Sequence, residues 1–171
     1  EIDRPTWRLG AVAFQSDVED MITAVRTPSR AWVNLNEVEI KGLEVDGQVA
    51  MGYGLSLDGA YTYQDTEENG DEEIAYRPRH KLNAGLNWQV VDSTGLRLGV
   101  DYFGEQKNYD GDDQDAYALL DLSINSRVTT ALALRGGVNN LTNVDLSEDD
   151  DDDYYGNVLG RSVYVGMSYD F

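Results

Sequence analysis

The sequence predicts an all-β protein, built as an antiparallel transmembrane β-barrel, and three observations support this class. Residues that favour strands and turns are abundant, with 11 Tyr, 3 Trp and 17 Gly against 3 Pro and 3 Met. Apolar residues alternate with polar or small ones along most of the chain. Short connections also alternate with long acidic ones, as in outer-membrane barrels, whose two rims face different compartments.

The alternation predicts nine strands. It is clearest where Leu82, Leu86 and Trp88 share one face of a strand and Asn83 and Asn87 share the other. It is roughest in the first two segments. The predicted strands cover about residues 6–14, 20–26, 36–51, 55–64, 80–91, 95–103, 116–126, 131–141 and 161–171. Because a bacterial single-chain barrel closes with an even number of strands, the odd count predicts further strands upstream of this sequence.

Periodicity alone does not say which face of the strands is enclosed. A soluble, lipocalin-like barrel would turn its apolar face inward, whereas a membrane barrel turns it toward lipid. The polar face here is rich in Gly, Ser, Asn and Ala, which suits a lumen better than bulk solvent. Tyr and Trp also recur near strand ends, where an interfacial aromatic girdle would lie. We therefore expect the apolar face to contact lipid.

The charge of the chain excludes some classes of partner and site. The formal net charge is -19, from 32 acidic and 13 basic residues, which argues against nucleic-acid binding. Much of the acid lies in three clusters, at 65–73, 110–115 and 148–153, which indicates solvated loops. Without Cys, neither a disulfide nor a Cys-based zinc site can form, and we expect no cofactor.

No segment of the sequence has the pattern of a membrane-spanning helix or of a signal peptide. No apolar run approaches the roughly 20 residues that a spanning helix needs. The first residues have neither the basic start nor the apolar stretch of a signal peptide. We expect any export signal to lie upstream or to have been removed.

Several short motifs, in order along the chain, resemble those of TonB-dependent outer-membrane receptors. Their spacing over about residues 6–171 makes the resemblance more specific than any one motif. They are GLE at 42–44, YTY at 61–63, RPRH at 77–80, YALLDL at 117–122, GVNNLTN at 137–143 and a last strand that follows Gly160-Arg161 and ends in Phe171. Asn143 stands where the family more often has Asp. The siderophore and colicin receptor branch is the most similar.

The resemblance implies a 22-stranded barrel with an N-terminal plug, of which residues 1–171 would be the C-terminal barrel region without the plug. It implies energy-coupled uptake of ferric siderophores across the outer membrane of a Gram-negative bacterium. The implied partners are the ferric siderophore or a similar scarce nutrient, outer-membrane lipid, the TonB complex through the missing N-terminal part, and the barrel assembly machinery. The alternative is a self-standing barrel of eight to ten strands that serves as a porin or adhesin.

In such receptors, aromatic and basic side chains of the loops and upper lumen recognise the ligand. The resemblance therefore makes ligand-binding candidates of Arg77, Arg79, Tyr109, Tyr154, Tyr155 and Arg161. The alternative is that the tyrosines belong to the outer aromatic girdle and that the arginines pair with neighbouring acids.

Two further groups of residues have a functional and an ordinary interpretation. Met167, Tyr169 and Phe171 resemble the C-terminal signal that the assembly machinery reads, or they form an ordinary apolar strand that ends in Phe. Asp149, Asp151 and Asp153 are oxygen ligands of the kind that calcium prefers. Their run lacks the spacing and the Gly turn of an EF-hand loop, so we expect a solvated loop and no metal site.

An outer-membrane enzyme is the rival functional class, because some small barrels are proteases or lipases. His80 is the only His and could act as a general base. It lies between Arg79 and Lys81, and no flanking Ser or Asp motif marks a nucleophile. We expect a structural role for His80 and no catalysis.

Overall fold

The computed structural model describes residues 6–26, 30–68, 73–108, 111–146 and 158–171, and most of these residues lie in strands. No helix in these ranges is long and apolar enough to cross a membrane. The strands are β1 (Trp7–Arg26), β2 (Arg30–Gly52), β3 (Leu55–Glu68), β4 (His80–Val91), β5 (Thr94–Phe103), β6 (Gln106–Lys107), β7 (Asp113–Gln114), β8 (Tyr117–Arg127), β9 (Leu132–Asn139) and β10 (Ser162–Tyr169).

Eight of these strands form one antiparallel sheet in the order β1-β2-β3-β4-β5-β8-β9-β10. Strands that are adjacent in the sheet are also consecutive along the chain, except that β6 and β7 come between β5 and β8. These two strands, of two residues each, form a separate hairpin. Within the described residues, β1 and β10 do not pair with each other, so the sheet is an open wall and not a closed barrel. The predicted all-β, antiparallel class is confirmed.

The apolar face of this wall is continuous across all eight strands of the sheet. The cross-strand register aligns one row of side chains from edge to edge, which runs Trp7, Val49, Leu57, Leu86, Leu98, Leu122, Val138 and Val163. No second layer encloses these side chains: Leu122 is 39% exposed and Val163 is 72% exposed. In the described part of the chain, Val38 is the only buried apolar residue. The closed apolar core of a soluble barrel is therefore absent from these residues.

The opposite, polar face carries small and hydrogen-bonding side chains. One of its rows runs Gln48, Asp58, Gly85, Gly99 and Asp121, and the next runs Ser56, Asn87, Arg97, Ser123 and Gly137. The side chains bond to one another across strands, as where Asn83 donates to Asp101 at 2.5 Å. Because the polar face satisfies its own polar groups, it is suited to line an enclosed space.

The first strand differs from the prediction. Two strands were predicted at 6–14 and 20–26, but β1 is continuous from Trp7 to Arg26. Residues 15–19, four of which are polar, break the apolar pattern and pair in register with 37–41 of β2. Residues 30–37 of β2 pair with β1 but not with β3, so this end of the sheet is a two-stranded hairpin. Strand pairing there does not require an apolar side, and the sheet has eight strands instead of nine. The argument from an odd strand count therefore fails.

Candidate ligand-binding region at the long-loop rim

The connections divide the wall into two rims. Tight turns join β2 to β3 and β4 to β5 at one rim. In the turn between β2 and β3, the backbone φ angles of Gly52, Tyr53 and Gly54 are 84°, 52° and 75°. The long connections after β3, β5 and β9 all lie at the other rim. In outer-membrane barrels short turns face the periplasm and long loops face outward. The long-loop rim is therefore the place to examine for ligand contacts.

The segment before β4 folds back over the polar face of β3. Gln64 donates its backbone N–H to the Arg79 carbonyl at 2.9 Å and its side-chain Nε2 to the Pro78 carbonyl at 3.1 Å. Ile74 donates its backbone N–H to Thr66 Oγ1 at 3.3 Å, and Thr66 is 5% exposed. Since Gln64 and Thr66 lie on the polar face, residues 73–79 cover the end of that face nearest the long-loop rim.

The hairpin of β6 and β7 lies beside this segment. The backbone N–H of Tyr76 donates to the carbonyl of Lys107 at 2.8 Å, which joins the two connections. Lys107 Nζ lies 2.7 Å from Asp113 Oδ1, and this hydrogen bond raises the pKa of Lys107 above its ordinary value. The turn of the hairpin is held by Asn108, whose Oδ1 accepts from the Asp112 N–H at 2.8 Å.

A hollow of about 420 Å³ opens between these two connections and the polar face. Five of its lining residues form a single cross-strand row, which runs Glu44, Thr62, Lys81, Phe103 and Tyr117. The rings of Phe103 and Tyr117 stack with their centroids 4.9 Å apart, and Lys81 Nζ lies 5.2 Å from the Phe103 centroid. Arg77 also lines the hollow. The arrangement presents cations beside a pair of aromatic rings.

The three predicted ligand residues that the structure describes are not brought together. Arg77 lines the hollow, whereas Arg79 forms ion pairs with Asp65 and Glu73. Arg161 lies at the start of β10, far along the sheet, where its backbone N–H donates to Asn143 Oδ1. The predicted ligand residues Tyr109, Tyr154 and Tyr155, and the weak metal candidates Asp149, Asp151 and Asp153, lie outside the described residues.

Sequence reasoning missed three residues of the hollow: Lys81, Phe103 and Tyr117. A signal for them was present, because the alternation in β4, β5 and β8 places all three on the polar face. What the alternation does not give is the register between strands, which aligns them in one row. Large aromatic residues on a face that is otherwise small and polar were the available clue.

His80 lies on the apolar face, away from the hollow. Its Nδ1 is 2.7 Å from the Tyr61 hydroxyl, and its ring centroid is 5.4 Å from that of Tyr63. Trp88 lies on the same face eight residues further along β4, which is about 27 Å along the strand. With the usual strand tilt this separates the two aromatic levels by about 20 Å in height, close to the apolar band of an outer-membrane barrel. His80 therefore belongs to the outer aromatic girdle.

The described residues contain no cluster of His, Asp or Glu with metal-binding geometry. The terminal aromatic residues are exposed at the short-turn rim, where the rings of Tyr169 and Phe171 meet edge to face at 5.3 Å. Together with Trp7 and Trp88, they form the second aromatic level of the apolar face. The aromatic girdles that were predicted at the strand ends are thus present at both rims.

Comparison with known proteins identifies related sequences. The sequence model described as TonB dependent receptor-like, beta-barrel matches residues 2–141. The vitamin B12 transporter BtuB of Vibrio vulnificus is 28% identical over 140 residues, which are 80% of this chain and 23% of that protein. The ferrienterobactin receptor of Escherichia coli is 27% identical over 165 residues, which are 82% of this chain and 22% of that protein. The chain thus spans about a quarter of the length of these relatives.

Solved structures show the same fold. The ferric enterobactin receptor mutant Q482A of Pseudomonas aeruginosa, in complex with enterobactin, superposes with a TM-score of 0.77 at 24% identity, over 94% of this chain and 29% of that chain. The ferric-catecholate import receptor Fiu of E. coli gives a TM-score of 0.72 at 18% identity, over 99% of this chain and 26% of that chain.

These relatives are named as receptors and transporters, and none of those named is an enzyme. They do not favour the alternative of a self-standing porin or adhesin. With the apolar face open and the polar face lined by hydrogen-bonded groups, the wall is a segment of an outer-membrane barrel of a Gram-negative bacterium. The chain belongs to the TonB-dependent receptor-like β-barrel family.

Proposed function

We propose that the protein is an outer-membrane receptor that takes up ferric siderophores by energy-coupled transport. Residues 1–171 form the C-terminal region of its barrel, which in this proposal has 22 strands. The plug, and the segment that engages TonB, belong to parts of the protein outside these residues. Support comes from the family match over 2–141 and from relatives that are named as ferric enterobactin receptors.

The hollow at the long-loop rim is the main structural support for the proposed ligand class. Lys81 and Arg77 supply positive charge, and the stacked rings of Phe103 and Tyr117 supply flat apolar surface. A ferric catecholate offers the complementary groups, because its catechol rings are planar and the complex is anionic. Charge-assisted contacts and ring stacking would act on the same ligand.

The terminal strand supports a second partner. Met167 and Tyr169 lie at alternate positions of β10, Phe171 follows two residues after its end, and all three side chains are exposed. In this proposal they are the signal that the barrel assembly machinery reads before the strand is covered by lipid. An ordinary apolar strand would need no aromatic residue at the last position.

Binding of ferric enterobactin to the complete receptor in detergent tests the ligand assignment. We expect Lys81→Gln to weaken binding roughly tenfold, because a charge-assisted contact contributes about 1.5–3 kcal/mol. Phe103→Leu should weaken it severalfold through loss of the stacked ring. Lys107→Gln is the matched control, since Lys107 lies at the same rim and is already paired with Asp113. Unchanged affinity in both Lys81→Gln and Phe103→Leu would contradict a catecholate site in this hollow.

Vitamin B12 is the second candidate ligand, because two relatives at 28% identity are named as vitamin B12 transporters. Titration of the same preparation with vitamin B12 distinguishes the two. Binding of vitamin B12 without binding of ferric enterobactin would replace the siderophore assignment and leave the receptor assignment in place.

A further inference from the structure

The turn that follows β9 contains two asparagines in the left-handed conformation, Asn140 with φ 51° and Asn143 with φ 56°. Asn is one of the few residues besides Gly that adopts this conformation readily. Asn140 is also 3% exposed, which is unusual for a polar residue in a connection at the rim of a barrel. Its side chain must therefore have internal hydrogen-bond partners.

Those partners lie at both ends of the connection between β9 and β10. Asn140 Oδ1 accepts from the Val144 N–H at 2.8 Å, and Asn140 Nδ2 donates to the Val144 carbonyl at 2.8 Å. The same Nδ2 donates to the Leu159 carbonyl at 2.9 Å. One amide side chain thus holds the first and the last part of the connection together.

Further hydrogen bonds extend this contact to the neighbouring strands. Asn143 Oδ1 accepts from the Arg161 N–H at 2.9 Å, and Arg161 is the residue directly before β10. The backbone N–H of Asn140 donates to Asp121 Oδ1 at 2.8 Å, which ties the turn to β8. The start of β10 is therefore fixed relative to both β9 and β8.

The register of β10 needs such a device. Within the described residues β10 pairs only with β9, over the eight positions from Ser162 to Tyr169. A slip of one residue would turn Val163, Val165 and Met167 from the apolar face to the polar face. In a tight hairpin the turn sets the register, but about twenty residues separate β9 from β10, and a connection of that length does not.

We propose that Asn140 and Asn143 form an asparagine clamp that sets the register of β10. The clamp isolates the terminal strand from the acidic connection before it, so that the connection can vary in sequence without displacing the strand. This inference concerns the assembly of the wall and holds for any ligand.

Disulfide cross-linking reports the register directly, because the chain has no Cys of its own. Arg135 is paired with Gly166, and the three atoms nearest to a Cβ at Gly166 would belong to the Arg135 side chain. Arg135→Cys with Gly166→Cys therefore reports the observed register. Arg135→Cys with Val165→Cys, or with Met167→Cys, reports a slip of one residue in either direction. The pairs are introduced into the complete receptor and oxidised in isolated outer membranes.

Each reporter pair is combined with clamp variants that tolerate a positive φ. We expect Asn140→Gly with Asn143→Gly to lower the in-register yield roughly fivefold or more and to produce slipped cross-links, because four side-chain hydrogen bonds are lost, three of them made by the 3% exposed Asn140. Asn140→Asp, which keeps the acceptor but loses both donors, should give an intermediate yield. Thr142→Ala is the matched control, since that exposed residue lies in the same turn, between the two asparagines.

The yields are normalised to folded receptor, measured by heat-modifiable migration, so that poor folding is not mistaken for slippage. In-register yields that stay unchanged in the folded fraction of the double glycine variant, with no slipped product, would overturn the proposal. Equal loss of yield with Thr142→Ala would overturn it as well.

Discussion

At the residue scale, the Arg97 guanidinium reaches across β4 and links three strands in the middle of the polar face. Arg97 of β5 lies over the backbone of β4 at Gly85 and reaches Asp58 of β3, with Nη1 and Nη2 at 2.7 and 2.9 Å from the two carboxylate oxygens. Asn87 donates to the same carboxylate at 2.6 Å and accepts from Arg97 at 2.8 Å. A bidentate pair of this kind is stronger than a single neutral hydrogen bond.

Gly85 makes this bridge possible, because a Cβ at that position would lie 2.2 Å from the Arg97 Cζ. We expect Gly85→Ala to displace the guanidinium and to lower the free energy of unfolding by about 1 kcal/mol, a modest loss because the pair is partly exposed. Gly99 faces Gly85 in the same row, and a Cβ there meets nothing closer than 4.0 Å. Gly99→Ala is thus the matched control and should have little effect. Urea unfolding of the receptor in detergent measures both.

A double-mutant cycle makes the same prediction sharper. In a receptor that already carries Arg97→Ala, the further change Gly85→Ala should be nearly neutral, because the side chain that it displaces is gone. A full additional loss in that background would mean that Gly85 is required for some other reason. Sequence alternation predicts that Gly85 and Arg97 both lie on the polar face. It does not predict that the Arg97 side chain crosses β4, because that contact depends on the register between three strands.

At the scale of the element, the strands in the apolar band could be predicted and those beyond it could not. β4 extends from His80 to Val91 where 80–91 was predicted, since each of its residues faces either an apolar or a polar environment. The part of β1 toward the long-loop rim lacks this contrast between an apolar and a polar side. The sequence pattern therefore wrongly predicted two strands where β1 is continuous. β6 and β7 have two residues each, which is too few for any period to be recognised. Periodicity therefore predicts strands only where one face is apolar.

Adjacent residues of β8 test which face contacts lipid. Leu122 lies in the central row of the apolar face, and Ser123 lies beside it on the polar face. We expect Leu122→Arg to lower the free energy of unfolding in lipid bilayers by about 2–4 kcal/mol, as for Arg at the middle of the apolar band of a barrel. Ser123→Arg, which enters the polar side, should change it by less than about 1 kcal/mol. Similar losses at both positions would be inconsistent with a lipid-facing apolar side.

At the scale of the whole molecule, the charge of -19 acts on any charged ligand that approaches the long-loop rim. Fifteen of the 32 acidic residues lie in the three long connections at that rim, so an anionic chelate is repelled over the distance at which salt leaves charges unscreened. That distance is about 30 Å at 0.01 M salt and about 8 Å at 0.15 M. The cations of the hollow act only after this approach.

The association rate of ferric enterobactin should therefore rise as salt is added over this range, by roughly threefold or more, in stopped-flow fluorescence with the complete receptor. Repulsion is relieved by screening, whereas attraction would be weakened by it. The uncharged detergent micelle without receptor serves as the control. A rate that falls with added salt would show that the rim attracts anions and that its acidic loops do not govern the approach.

The open sheet also has a consequence for the isolated chain. The edges of β1 and β10 are unpaired with each other in the described residues, and unpaired edges in lipid leave backbone groups without partners. We expect the 171-residue chain alone to migrate identically in dodecyl sulfate gels with and without heating. The complete receptor should show heat-modifiable migration. Heat-modifiable migration of the isolated chain would support the self-standing barrel instead.

The central claim is that one continuous face of this wall touches lipid while the other lines an enclosed space, and site-directed spin labelling of β5 in the complete, membrane-embedded receptor tests it most directly. Labels on single cysteines at Leu96, Leu98 and Val100 should show high collision rates with dissolved oxygen, which concentrates in lipid. Labels at Gly95, Gly99 and Asp101 should show low ones. Oxygen collision rates that are equal at all six sites, or higher at Gly95, Gly99 and Asp101, would contradict the account.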